Sequence, residues 1–209
     1  MTPPRAAQPD GPAPRGLAIW LAAALMIGAG VPVGLVWLEQ PSEPVTAPRA
    51  LANGFALDAP DGRRISDTSL RGAPYVVMFG YTRCGDACTA RLARLLAWRE
   101  QLASDAARRL PVVFVSVDPD HDTPARMAAF AARAPAPILA LTGSPAAVAR
   151  AARAFNAVHF QAALCGGDYT INHSRVAYLV DAAGRSQAVI GEDASDALAL
   201  ARLRALLAA

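Results

Sequence analysis

Tyr75-Val76-Val77-Met78-Phe79-Gly80, followed at once by Tyr81-Thr82-Arg83-Cys84-Gly85-Asp86-Ala87-Cys88, is the stretch that decides the fold of this chain. Its first six residues form an unbroken apolar run, the pattern of a strand covered on both faces. Beyond it, Cys88, Leu92, Leu95, Leu96 and Leu102 recur at helical spacing, and Arg91, Arg94, Arg99 and Glu100 fall mostly on other faces, as a solvated stripe would. A buried strand therefore delivers two cysteines to a helix that starts near Ala87. Unpaired N–H groups at a helix start carry partial positive charge and favour thiolate over thiol. The two sulfurs are expected to be either redox-active or metal-binding.

Working outward, Leu110 to Val117 is a second continuous apolar run, and strand–helix–strand order predicts a parallel pair. Asp122 or Thr123 caps a helix that opens with Pro124 and runs to about Ala134. Ile138 to Leu141 reads as a short strand, and Ser144-Pro145 opens a helix that ends near Phe155. Residues 156–172, which contain Gly166-Gly167, read as a long irregular loop, and loops of that length are often functional. A strand at Ser174 to Val180, a turn at Asp181-Ala182-Ala183-Gly184, a strand at Ser186 to Ile190 and a helix from Asp193 to Leu207 close the chain. On the other side, Phe55-Ala56-Leu57 and Arg63-Arg64-Ile65-Ser66 flank the turn Pro60-Asp61-Gly62 as a small hairpin. This order predicts an α/β, thioredoxin-like fold, a central mixed sheet flanked by helices, over residues 51–209.

The N-terminal quarter has a different character. Leu17 to Leu38 is 22 residues without a charge, which as a helix would span ~33 Å, about a bilayer's hydrocarbon thickness. Arg5 and Arg15 precede it, Glu39 and Glu43 follow it, and Trp20 and Trp37 stand near its ends. This places the N-terminus in the cytoplasm and the rest of the chain across the membrane. Residues 1–16 are expected to be disordered, 17–38 to form a single-pass anchor in a bacterial inner membrane, with a cleaved signal as the alternative, and 39–50 a proline-rich linker to a periplasmic domain. All twenty basic residues are arginines, scattered without interleaved aromatics, so the net charge of +3 does not indicate nucleic-acid binding.

Cys84 and Cys88 are four apart. Cβ atoms at that spacing on a helix stand ~5–6 Å apart, and a disulfide needs about 3.8 Å, so a direct bond requires Cys84 to lie off the helix. A metal relaxes the constraint, because two metal–sulfur bonds of ~2.3 Å let the sulfurs stand roughly 4 Å apart. Two soft sulfurs select Cu(I) or Zn, and one added imidazole suits copper in either oxidation state. Of the three histidines, His173, ahead of the strand at Ser174, is expected to approach the cysteine loop. His121, in Asp118-Pro119-Asp120-His121-Asp122, reads as a solvated turn residue, and neither His159 nor Cys165 has an assigned role. In an oxidising compartment the pair would be a disulfide unless a reductant or a metal protects it.

With these residues in view, the sequence resembles the SenC/PrrC (Sco-type) copper-binding family that assists cytochrome oxidase assembly. The carriers are Phe79 to Cys88, Val115-Ser116-Val117-Asp118-Pro119-Asp120-His121-Asp122-Thr123-Pro124, and His173 ahead of Tyr178-Leu179-Val180-Asp181. The resemblance implies Cys84, Cys88 and His173 as copper ligands, a thioredoxin-like fold, an N-terminal membrane anchor, and the copper-bearing oxidase subunit or another copper enzyme as acceptor, with another copper chaperone as donor. It also implies Asp86 and Asp118 as supporting or partner-contact residues. Arg83, Gly85 and Thr89 stand where the family often has His, Pro and Pro. Arg83 is expected to favour thiolates at the site, and Gly85 to loosen its loop. The alternative is a thiol–disulfide oxidoreductase in which Cys84 attacks and Cys88 resolves, keeping an acceptor's cysteines reduced, or a redox or copper sensor. Thr82-Arg83-Cys84 lacks the spacing of a peroxiredoxin.

Overall fold

A computed structural model describes residues 49–51, 54–102, 110–164 and 168–209. The expected disordered start at 1–16, the anchor at 17–38, nearly all of the linker and Cys165 lie outside these residues. Among the described residues no helix is long and apolar enough to cross a membrane.

The elements in chain order are β1 (Arg49–Ala50), β2 (Ala56–Asp58), β3 (Arg64–Ser66), β4 (Tyr75–Gly80), α1 (Asp86–Gln101), β5 (Val112–Ser116), α2 (Pro124–Arg133), β6 (Leu139–Leu141), α3 (Pro145–Ala154), β7 (His159–Ala163), β8 (Tyr169–His173), β9 (Ala177–Val180), β10 (Arg185–Ile190) and α4 (Asp196–Ala208). Six strands form one sheet in the order β1-β10-β9-β4-β5-β6. Its centre is parallel, with β4 beside β5 and β5 beside β6, whereas β9 pairs antiparallel with β4 and β10 with β9. The two apolar runs that the sequence marks as strands are thus neighbours in register, Val76 opposite Val112 through Gly80 opposite Ser116.

Strand alternation sorts the core into two layers. Val77, Phe79, Val113 and Val115 face α3 and the β2–β3 hairpin, against Leu57, Val148, Ala151 and Phe155. Val76, Met78, Val112 and Phe114 face α1, α2 and α4, against Leu92, Leu96, Met127, Phe130 and Leu203. Thr123 and Ser144 cap α2 and α3 by accepting from the N–H groups of Arg126 and Ala147, and proline follows each cap.

Two expectations need correcting. Residues 156–172 are not an irregular loop, because β7 and β8 form a separate antiparallel ribbon in which His159 pairs with His173 and Ala163 with Tyr169. Its strands carry Ala162, Ala163 and Asn172 rather than a β-branched run, so their propensity is weak. Tertiary contacts hold the ribbon: the Tyr81 hydroxyl meets Thr170 Oγ1 at 3.0 Å and accepts from Ile171 N–H at 3.3 Å. His173 accordingly ends β8, and β9 begins only at Ala177. The second correction concerns Arg99, which is 5% exposed and not solvated. Its guanidinium donates to the carbonyls of Leu110 and Pro137, tying α1 to the segments before β5 and β6.

Candidate metal centre

The site is built where β4 ends. Tyr81 to Gly85 form a short connection before α1, so Cys84 lies off the helix and Cys88 sits in its first turn. Leaving the helix is what lets the sulfurs meet: Cys84 and Cys88 form a disulfide with Cα atoms 5.8 Å apart. Gly85 makes the turn possible. It adopts φ 72°, a conformation barred to proline and strained for other L-residues, so glycine is what the turn requires here. Cys88 is buried and Cys84 half-buried, as expected for an inward helix position and a loop position.

A fixed frame holds this loop. Asp122, fully buried, accepts from Thr82 N–H at 3.0 Å, Thr82 Oγ1 at 2.5 Å and Ser116 Oγ at 2.6 Å. Asp118, 1% exposed, accepts from Arg83 Nη2 at 3.3 Å and from the Tyr169 hydroxyl at 2.6 Å. The Arg83 guanidinium also donates to Asp168 and lies over the Tyr169 ring, so one side chain links the cysteine loop to the ribbon that carries His173. Burial first, and the bond to Asp118 second, push the Tyr169 hydroxyl up to about 12, which keeps it a donor.

His173 completes the group. Its Nδ1 lies 3.1 Å from the Ser174 carbonyl, which fixes the proton there and leaves the Nε2 lone pair free. Nε2 stands 3.4 Å from Cys88 Sγ and 3.8 Å from Cys84 Sγ, and the three donor atoms all lie within 4.8 Å of one another. Bonds of ~2.0 Å to nitrogen and ~2.3 Å to sulfur from one ion would separate the donors by roughly 3.5–3.7 Å. The imidazole is therefore already at ligand distance. Burial holds the imidazole below its ordinary value, with Arg91 and Arg175 acting the same way, so the ring is kept neutral and able to donate its lone pair. What must change for an ion to enter is the sulfur–sulfur bond, and reduction has to come first.

Several sequence expectations are corrected here. Arg83 points at Asp118 and Asp168, away from the sulfurs. The cation at the sulfurs is Arg91, whose Nη2 lies 3.4 Å from Cys88 Sγ, although the helical pattern puts it on a solvated stripe. His121 is half-buried, with Nδ1 2.6 Å from the Tyr169 hydroxyl and 3.2 Å from Asp118, and is not a free turn residue. Asp86 is exposed in the first turn of α1. His159 lies in β7, and Cys165 lies outside the described residues.

The SCO1/SenC family model matches residues 43–208. This chain belongs to the SCO1/SenC family. It is 31% identical over 196 residues to the mitochondrial SCO2 homolog of Bos taurus, covering 86% of this chain and 71% of that one. It is 29% identical over 137 residues to the mitochondrial SCO1 homolog 1 of Arabidopsis thaliana, covering 66% of this chain but only 41% of that protein's length. Among solved structures it is similar to Bradyrhizobium japonicum ScoI with copper bound, at 29% identity and a TM-score of 0.66, covering 75% of this chain and 99% of that one. The resemblance read from the cysteine, aspartate and histidine motifs is thus upheld, and so is the thioredoxin-like α/β fold of the described residues.

Proposed function

We propose that this SCO1/SenC protein holds copper with Cys84, Cys88 and His173 and delivers it to a cytochrome oxidase copper centre or another copper enzyme. One observation carries this: His173 Nε2 stands 3.4 and 3.8 Å from two sulfurs, a three-donor set that suits copper in either oxidation state. The choice of ion is supported by the similar B. japonicum ScoI, whose structure has copper bound. Residues 17–38 anchor the protein in a bacterial inner membrane with residues 51–209 in the periplasm, a reading supported by the uncharged run and its flanking charges. Transfer proceeds by ligand exchange, acceptor thiolates replacing these donors one at a time. The test is anaerobic copper titration of the reduced protein, followed by exposure to an apo oxidase subunit. One ion per chain, lost to the subunit, supports delivery. Unchanged Cu(II) affinity and thiolate charge-transfer absorption in His173→Ala would refute the ligand set.

A second reading, thiol–disulfide exchange, is favoured by the closed Cys84–Cys88 bond with its more exposed sulfur on Cys84. Cys84→Ser abolishes that activity and His173→Ala spares it, whereas both substitutions weaken Cu(II) binding.

A further inference from the structure

Beside the disulfide lies a cavity of about 210 Å³, bounded by Cys84, His173, Asn172, Arg91, Arg175 and Glu192. Its charges are unevenly paired. Glu192 lies 3.3 Å from Arg175 and 4.0 Å from Arg91, so one carboxylate is shared by two guanidiniums, and a net positive charge faces the cavity. Arg91 is the less exposed of the two, with 15% of its side chain accessible, and its Nη2 is directed at Cys88 Sγ. Its Nε is anchored on the Ala87 carbonyl. The two sulfurs of the disulfide therefore differ: Cys84 lines the cavity and can be reached, and Cys88 is buried against a cation.

We propose that this cavity is the entry port for an anionic low-molecular-weight thiol that reduces the Cys84–Cys88 disulfide, and that Arg91 directs the exchange by carrying the charge of the departing Cys88 sulfur. This rests on the reading that the pair must be reduced before it holds copper. A thiolate RS⁻ forms a bond to Cys84 Sγ while the Cys84–Cys88 bond breaks, and Cys88 leaves with the electron pair as a thiolate beside the Arg91 guanidinium. A second RS⁻ attacks the small-molecule sulfur of the mixed disulfide, which forms RSSR and releases the Cys84 thiolate. Two thiolates are oxidised to one disulfide, and the protein disulfide takes up the two electrons. Attack in the opposite sense would need a nucleophile at a buried sulfur and would leave the charge on Cys84, away from Arg91. Exchange rates rise as the leaving sulfur better bears negative charge, so a fixed cation at that sulfur assigns the direction.

The experiment follows reduction of the full chain, in a Cys165→Ser background, by three thiols. These are glutathione, which carries a net negative charge apart from its thiol, neutral 2-mercaptoethanol, and cationic cysteamine. Each rate is normalised to the same thiol's rate on a neutral model disulfide. At low salt the normalised rate for glutathione is expected to exceed that for cysteamine by about tenfold, and the ratio to shrink in high salt. Arg175→Gln should cut that ratio about threefold. Arg91→Gln should slow all three thiols by about tenfold, and Arg91→Lys, which keeps the charge, should recover most of the loss. Alkylation quenching should place the mixed disulfide on Cys84. Equal normalised rates for the three thiols, a mixed disulfide on Cys88, or an Arg91→Gln rate within twofold of the parent for every thiol would each overturn the proposal. Should Arg91→Gln not fold, the charge series on the parent protein and the site of the mixed disulfide still decide. Copper titration is independent of these rates. A chain that binds no copper but keeps the charge series fails only the copper reading, and one that binds copper with indifferent rates fails only this one.

Discussion

Asp122→Ala is the substitution that most directly tests whether the cysteine loop is held by the fold. The carboxylate is fully buried and accepts three hydrogen bonds, from Thr82 N–H, Thr82 Oγ1 and Ser116 Oγ. Hydrogen bonds to a charged group contribute about 1.5–3 kcal/mol each, and a buried donor left without a partner costs about 1–3 kcal/mol. The three losses are not equal. Ser116 is 0% exposed, but its hydroxyl can turn towards other acceptors, and half-buried Thr82 can recruit water. We therefore expect a net destabilisation of about 3 kcal/mol, not the sum of three full bonds, or a fall in Tm of roughly 6–12 °C for a domain of this size. Chemical denaturation followed by far-UV circular dichroism reads this directly. Asp122→Asn should lose less, because the amide oxygen still accepts one of the bonds. The effect should reach the site as well, since Thr82 is two residues from Cys84 and its freedom loosens the loop, weakening copper binding in the reduced protein. A loss below about 1 kcal/mol, or the expected loss of about 3 kcal/mol with unchanged copper affinity, would refute the view that Asp122 positions the cysteines.

Three further outcomes follow from the same geometry. In Gly80→Ala the new Cβ would meet Phe114 Cζ at 2.7 Å and Cys88 Sγ at 3.5 Å. Phe114 is fully buried and has no room to turn, so overpacking should cost about 2 kcal/mol in denaturant unfolding and disturb metal binding together with stability. Asp118→Asn keeps the volume but removes the charge that Arg83 and Tyr169 meet, and should cost about 2 kcal/mol, with a faster-exchanging β7–β8 ribbon by hydrogen exchange. His159 is held below its ordinary 6.5 by burial first and by Arg153 second. Below about pH 6.5 the unfolded chain therefore binds a proton that the folded chain resists. Stability falls as pH drops through that range and is regained above it, and His159→Gln should flatten the slope measured between about pH 7 and 5.

The parts of the fold that the sequence made legible are those where one signal acts alone. Continuous apolar runs gave β4 and β5, Thr123-Pro124 and Ser144-Pro145 gave two helix starts, and Asp61-Gly62 gave the β2–β3 turn, because each rests on local backbone chemistry. The β7–β8 ribbon was not legible, since its strands are held by Tyr81, a residue some ninety positions away. The three donor residues could be named from spacing and order, but their support could not. Arg83 and Arg91 exchange the roles their positions suggest: the arginine next to Cys84 in sequence turns to Asp118, and the one three residues past Cys88 reaches the sulfur. In sequence Arg83 is the loop cation beside Cys84, and Arg91 is one member of a solvated helical stripe. The buried Asp118, together with Asp168, draws Arg83 away and leaves Arg91 at the sulfur.

That separation bears on how a metal and a disulfide can use the same atoms. With the sulfurs bonded to each other, His173 Nε2 already stands at ligand distance from both, its other nitrogen occupied by the Ser174 carbonyl. The frame that holds it there, Tyr81 against Thr170 and Ile171 together with Arg83, Asp118 and Tyr169, makes no use of the sulfurs. Opening the disulfide therefore leaves the imidazole in place. The adjustment falls on the half-buried Cys84 and on Gly85, whose positive φ marks the point where the loop turns into α1. A site of this kind keeps little reorganisation between its oxidised and its metal-ready forms, and a sulfur–sulfur bond, not a fold change, stands between them. Which form prevails is then set by the supply of reductant at Cys84 and by the charge that Arg91 holds at Cys88.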